Sequence, residues 1–250
     1  MSRCQRLNGC RIMGWDEQSA RNLPRTTAFP PKIIARAVWL YFRFPLSLRM
    51  VEEMLLERGI VVSHETIRRW GPKFGAAYAR QLCRKRPSRK DIWHLDEVVI
   101  SIGGRKHWLW RAVDQDGYVL DEIVQARRDT QAARRLLVRL LKKQGLTPKR
   151  IVTDKLRSYG AARREVMPAV EHRSHKGLNN RAENSHVPLR KRERMMQRFR
   201  SVGGLQRFIS IFSALRNLFV PPHQKNSALA IHIHRIRSMA QWKAVTGATA

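Results

Sequence analysis

The sequence predicts an α/β domain, a mixed sheet with flanking helices, preceded by an all-α helix-turn-helix domain. Three observations carry that expectation. Helical periodicity fills residues 31–79, strand-length alternating or apolar runs begin at Ile92, and from Asp129 onward helices alternate with short strands. Basic residues around Pro87 mark the change of pattern. The chain divides accordingly into an N-terminal arm (1–28), a helical domain (29–80), a basic linker (81–90), an α/β domain (91–220) and a C-terminal tail (221–250).

The arm is polar and unpatterned, and Phe29-Pro30-Pro31 ends it. From Pro31, Ile33, Ile34, Ala37, Val38 and Tyr41 share one helical face. A second helix repeats Leu48, Val51, Met54 and Leu55, and Arg58-Gly59 closes it. Ser63 is a suitable N-cap for a third, which turns Ile67 and Trp70 inward and leaves His64, Thr66, Arg68 and Arg69 outside, where a recognition helix carries its contacts. A plain three-helix bundle with a solvated basic face is the competing reading.

Beyond the linker, Ile92–Ile102, His107–Val113 and Tyr118–Val124 read as three antiparallel strands, separated by Gly103-Gly104 and by Asp116-Gly117. Asp129 then caps a helix whose stripe is Ala133, Leu136, Leu137, Leu140 and Leu141, ending at Gly145. Residues 150–154 form a short buried strand, 159–167 a helix, and 170–172 another strand. The order is βββαβαβα. It requires a helical crossover from the third strand to the fourth and therefore helices on the sheet faces.

Composition narrows the ligand. The chain has 250 residues, with 50 Lys plus Arg against 19 Asp plus Glu, a formal charge of +31. Such a field concentrates polyanions and releases their counterions, so nucleic acid is the expected partner. Cys4, Cys10 and Cys83 offer neither a disulfide framework nor zinc spacing, which suits a reducing cytoplasm. Neither a signal peptide nor a membrane span is expected.

Against that basic background three acids stand out. Asp96 lies inside the first strand of the sheet, Asp154 ends the strand at 150–154, and Glu183 opens a basic helix. Carboxyl ends of strands in α/β sheets are where ligands are held, and a helix start favours an anion. Converging carboxylates without thiolate or imidazole suit a hard cation: Mg²⁺, expected as two ions, with Mn²⁺ able to substitute. Asp96 and Glu97 alternate on their strand, so only one can face a given site, and Glu97 is the strongest rival. Asp114, Asp121 and Glu171 also compete. Taken singly, Asp96 reads equally as an edge-strand acid, Asp154 as a turn-initiating residue and Glu183 as an ordinary first-turn acid. Arg190, two turns beyond Glu183 on the same face, continues with Lys191, Arg192 and Arg194 into a basic surface able to hold DNA, although Pro188 interrupts that helix.

The segments HLDEVVI, GGRKHWLWRAVDQDG, IVTDKLRSYG, EHRSHKGLNNRAENSH and RKRERMMQRFRS resemble transposases of bacterial insertion sequences of the IS-six family, over approximately residues 29–240. That family belongs to the DDE group, whose catalytic domain is RNase H-like. The resemblance implies that Asp96, Asp154 and Glu183 are the catalytic, metal-binding triad and that Arg190 stands where the family places a basic residue. It implies that residues 31–79 bind terminal inverted repeats, that movement is replicative through a cointegrate, and, since family members usually start near Phe29-Pro30-Pro31, that translation begins later than Met1, for instance at Met13. It further implies double-stranded DNA, both repeat ends and target, as partner, a homodimer or larger synaptic assembly, and a bacterial cytoplasmic, nucleoid-associated location. A catalytically inactive remnant that represses its own element is the alternative.

Overall fold

The computed structural model describes residues 6–7, 10–11, 29–82, 87–221 and 227–248. Expectations about the rest of the arm, a start at Met13 and most of the linker core at 83–86 lie outside the described residues. A two-residue ladder pairs Arg6–Leu7 with Cys10–Arg11. The chain forms two compact units, 1–86 with 227–250, and 87–226.

The first unit is helical: α1 (Pro31–Arg43), α2 (Leu48–Leu56), α3 (His64–Trp70), a π-helical turn at Gly71–Gly75, α4 (Ala76–Gln81) and α9 (Ala228–Thr246). Pro31 opens α1, where its missing N–H costs nothing. Ser47 and Ser63 cap α2 and α3 by accepting from Met50 N and Thr66 N. Ile34, Val38, Val51, Leu55, Ile67 and Trp70 form the core, and burying each such side chain contributes about 1.5–3 kcal/mol before chain entropy is counted. Residues 221–250, expected as a tail, instead supply a helix to this unit: Trp242 is buried edge-on against Tyr78, 5.4 Å between ring centroids. Trp242 decides the difference, its indole binding where α4 offers an aromatic wall, while Ile233 and Ile236 stay exposed.

The second unit holds a five-stranded mixed sheet: β1 (Ile92–Ile102), β2 (Arg105–Val113), β3 (Val119–Gln125), β4 (Arg150–Thr153) and β5 (Glu171–Ser174), in the order β3-β2-β1-β4-β5. The first three strands pair antiparallel, and β4 and β5 join β1 in parallel. Gly103 and Gly104 take φ of 55° and 78° in the β1–β2 turn, a backbone that side chains resist. Helix α5 (Thr130–Gln144) is capped by Asp129, which accepts from Ala132 N at 2.8 Å, and α6 (Arg157–Val166) runs beside it. Together they cover one face, where Trp93, Leu95, Trp110, Leu136, Leu137, Leu140 and Tyr159 form the core.

On the other face α7 (Asn180–Met195) packs on β1 and β2. Pro188 is accommodated inside it. A proline disturbs the carbonyls one turn back, and the buried Arg111 of β2 donates to Ser185 O at 2.5 Å while pairing with Glu122 of β3 at 2.8 Å. Helix α8 (Val202–Phe219) blunts the sheet edge. Gln206 accepts from Val124 N, and Asn217 bonds both Val119 N and Val119 O, so the free edge of β3 has partners. Among the described residues no helix is long and apolar enough to cross a membrane.

Candidate active site

Strand register brings two of the acids together. In the parallel pair β1–β4, Leu95 lies opposite Thr153, so Asp154, the first residue past the end of β4, falls beside Asp96 while β1 runs on. The β4 terminus is itself held: Thr153 and Ser174 hydroxyls donate to Asp154 O at 2.8 Å each, and His175 N to Thr153 O. Asp154 Oδ1 accepts from Leu156 N at 3.0 Å, starting the turn into α6. The turn-initiating reading of Asp154 is therefore met by this bond.

Asp96 is 8% exposed, and its pKa is raised to about 6, first by burial and then by the charge of Asp154. Among the described residues, one oxygen each of Asp96, Glu97 and Asp154 lies within 4.8 Å of the others. Alternation along β1 still holds. Glu97 turns to the α5–α6 side, where it accepts from Tyr159 OH at 2.6 Å and Arg128 Nε at 2.8 Å, whereas Asp96 turns to α7. Burial raises the Glu97 pKa, and the Tyr159 and Arg128 bonds oppose that rise.

Helix α7 is pinned to this place at its start. Asn179, fully buried, gives its side-chain N–H₂ not to the helix but to Leu95 O at 2.8 Å, one residue before Asp96. One helical repeat further along, His186 Nε2 lies 3.4 Å from Asp96 Oδ2. Burial first, then the charges of Arg111, Arg190 and Arg216, push His186 well below its usual pKa, so it meets Asp96 as a neutral ring. Glu183 falls between these two anchors in sequence and about 40° round the helix from Asn179, on the rim of the face that meets β1. It is exposed, its carboxylate has no hydrogen-bond or ion-pair partner among the described residues, and it is not in the three-acid cluster.

Arg190 is less free than its alignment with Glu183 suggests: it donates to Val99 O of β1 and to Glu193 at 2.8 Å. Lys191 and Arg194 are exposed. On α3, Arg68 and Arg69 are exposed and His64 and Thr66 half-buried, while Ile67 and Trp70 are buried. All four have local partners: Arg68 forks onto Glu65 at 2.7 and 2.6 Å, Arg69 lies 3.5 Å from the same carboxylate, His64 meets Glu52 at 3.0 Å, and Thr66 meets Ser63 at 3.0 Å.

Residues 90–221 match the family model described as DDE domain, of the IS240 transposase type. The transposase for insertion sequence-like element IS431mec from Staphylococcus aureus is 32% identical over 181 residues, 70% of this chain and 80% of that protein. The transposase for insertion sequence element IS257 in transposon Tn4003, also from S. aureus, matches to the same extent. The chain belongs to the IS-six family of DDE transposases. It is a polynucleotidyl transferase, and its five-stranded mixed sheet with flanking helices is the RNase H-like core of a DDE domain. A chain in the cryoEM structure of the simian T-cell lymphotropic virus intasome in complex with PP2A regulatory subunit B56 gamma aligns with TM-score 0.38 and 17% identity. It covers 56% of this chain and 61% of that one, a likeness too low to bear on the argument.

A DDE domain works with divalent metal, and the residues of this transposase fit one. The donor set is all oxygen, Asp96 carries a charge that burial opposes, and the side chain of Asp154 is 26% exposed. The sequence did not single out Arg128 and Tyr159, which bond Glu97, or Trp108, on which Arg128 stacks. Arg128 is one of 50 Lys plus Arg with no pattern of its own, and Tyr159 reads as the first residue of a helix. His186 was legible only as a neighbour of Glu183.

Proposed function

We propose that this transposase binds the terminal inverted repeats of an insertion sequence, cleaves the strand at each element end and joins it to target DNA. In this reading Asp96, Asp154 and Glu183 are the catalytic triad, with Mg²⁺, as two ions, the physiological metal and Mn²⁺ a substitute. The observation that carries it is the Leu95–Thr153 register, which sets Asp96 beside Asp154 in a chain of charge +31. Bound there, the metal supplies positive charge to the attacking and leaving oxygens of an in-line displacement at phosphorus.

The chain's own side chains prepare that event. Asp96 lies between β1 and the neutral ring of His186, and Asp154 is held by its turn and its backbone clamp, so the Asp154 carboxylate starts in place. Water forms a bond to phosphorus at the element end and the P–O3′ bond breaks, freeing a 3′-hydroxyl. That hydroxyl then attacks a target phosphorus and displaces the target's 3′-oxygen, with no covalent enzyme intermediate. Glu183, exposed on the rim of α7, is the third carboxylate in this reading. Arg190, Lys191 and Arg194 along α7 take backbone phosphates, and His64, Thr66, Arg68 and Arg69 on α3 read the repeat. Two ends must be held at once, which fits a homodimer or larger synaptic assembly and a replicative cointegrate.

The test is a strand-transfer assay with labelled terminal-repeat DNA and plasmid target in Mg²⁺, Mn²⁺ and EDTA, comparing the parent with Asp154→Asn. Joined product from the parent alone, and only with metal, is expected. Repeat binding without nicking or joining under every condition would replace this reading with that of a DNA-binding repressor.

A further inference from the structure

Glu97 is the third carboxylate of the cluster, yet both of its oxygens are already engaged. Oε2 accepts from Tyr159 OH at 2.6 Å, while Oε1 accepts from Arg128 Nε at 2.8 Å and lies 2.6 Å from Arg128 Nη2. The side chain of Glu97 is 0% exposed, so turning it toward a cation in the cleft would strip two charge-assisted bonds and leave the buried Tyr159 hydroxyl without its acceptor. Arg128 differs from a surface ion-pair partner in three ways. Its guanidinium stacks 4.9 Å above the Trp108 ring, it lies 3.7 Å from Asp154 Oδ2, and its side chain is 39% exposed at the open side of the cluster. One planar cation thus touches Glu97 firmly and Asp154 loosely.

We propose that Arg128 is a positioning residue that decides which carboxylates face the metal. It holds Glu97 against Tyr159 and so confines the cation to Asp96 and Asp154. The inference rests on the metal site described under the proposed function. Three carboxylates within 4.8 Å could otherwise share one ion, drawing it off the Asp96–Asp154 axis toward the α6 side of the sheet. Releasing Glu97 would therefore strengthen metal binding and misplace the metal.

The experiment is Mn²⁺ binding by the full chain, followed by the loss of the free-ion paramagnetic resonance signal, with thermal unfolding recorded for every variant. In the parent, Asp154→Asn weakens Mn²⁺ binding at least about tenfold. With Arg128→Gln also present, Glu97 takes the place of Asp154, and the double variant D154N/R128Q recovers to within about threefold of the parent. Adding Glu97→Gln to that pair abolishes the recovery, which separates ligation by Glu97 from the simple loss of a positive charge. Arg128→Lys, which keeps the charge but lacks the fork, gives partial recovery in the Asp154→Asn background and guards against a folding defect in the glutamine variant.

The proposal is overturned if D154N/R128Q binds no more Mn²⁺ than D154N, or if the Glu97→Gln triple variant binds as well as that double. A parent whose Mn²⁺ binding is indifferent to Asp154→Asn removes the metal site itself, a failure visible before Arg128 is changed.

Discussion

Asp96 and Asp121 are both buried aspartates on the same sheet, 8% and 5% exposed, and they behave in opposite ways. Asp121, on β3, accepts from Arg139 Nε at 2.9 Å and Lys143 Nζ at 2.9 Å, both on α5. Burial pushes its pKa up, but those two cations outweigh burial and hold it below the usual carboxylate value. No Lys or Arg makes a hydrogen bond to the Asp96 carboxylate among the described residues; it faces Asp154 and a neutral His186 instead, and its pKa is pushed up to about 6. Burial alone does not mark a site. The mark is burial left uncompensated, a free-energy cost that a bound cation relieves.

The comparison is most easily broken by activity. Asp96→Asn is expected to lower strand transfer by about a thousandfold, whereas Asp121→Asn leaves it within about threefold, measured on equal amounts of folded protein. Equal losses would mean that the two acids do not differ in role. Stability should move the other way. In EDTA at pH 7, Asp96→Asn removes an uncompensated buried charge and is expected to stabilise the chain by about 1–2 kcal/mol. Asp121→Asn strands two half-exposed cations and should cost about 1–2 kcal/mol. Chemical denaturation of both variants reads the two signs directly.

The smallest effect is the pH dependence of that gain. The folded pKa of Asp96 is raised from 3.8 to about 6, so its cost is absent below the unfolded value, grows as pH rises, and is complete above the folded one. The stability difference between Asp96→Asn and the parent is therefore expected to vanish below about pH 4 and to reach its full size above about pH 6. Asp121, whose folded pKa is depressed, runs oppositely: its contribution is present above the ordinary carboxylate pKa of about 3.9 and is lost as pH falls through the lowered value. A gain from Asp96→Asn that persists at pH 4 would assign it to packing rather than charge.

Much of the fold could be read from local chemistry. Ser63 caps α3 as its spacing implies, Asp129 caps α5, Gly145 ends α5 at φ 70°, and β1 spans Ile92–Ile102. Each of these depends on residues within a few positions of one another. The helix at 180–195 was less legible, because Pro188 argues against continuity, and nothing local shows that Arg111, 74 residues from Ser185, bonds the carbonyl next to the one that Pro188 leaves without its N–H. The packing of Ala228–Thr246 beside the first helices was not legible at all, since contact between residues as distant as Tyr78 and Trp242 leaves no periodic trace.

For the site, the sequence by itself determined the inventory: acids at strand ends and a helix start in a basic chain, with motifs that name the family. It could not determine which acids meet. A period of two sends Asp96 and Glu97 to opposite faces, but whether Asp154 joins one or the other depends on the register of β4 against β1, a pairing across more than fifty residues. Tertiary structure decided that Asp96 lies beside Asp154 with no cation among the described residues bonded to it, that Arg128 and Tyr159 engage Glu97 while Arg128 stands 3.7 Å from Asp154, and that Glu183 lies exposed on the rim of α7. The physical reason is that charge compensation acts through space over a few ångströms, and sequence spacing carries no record of that distance once the chain has crossed the sheet.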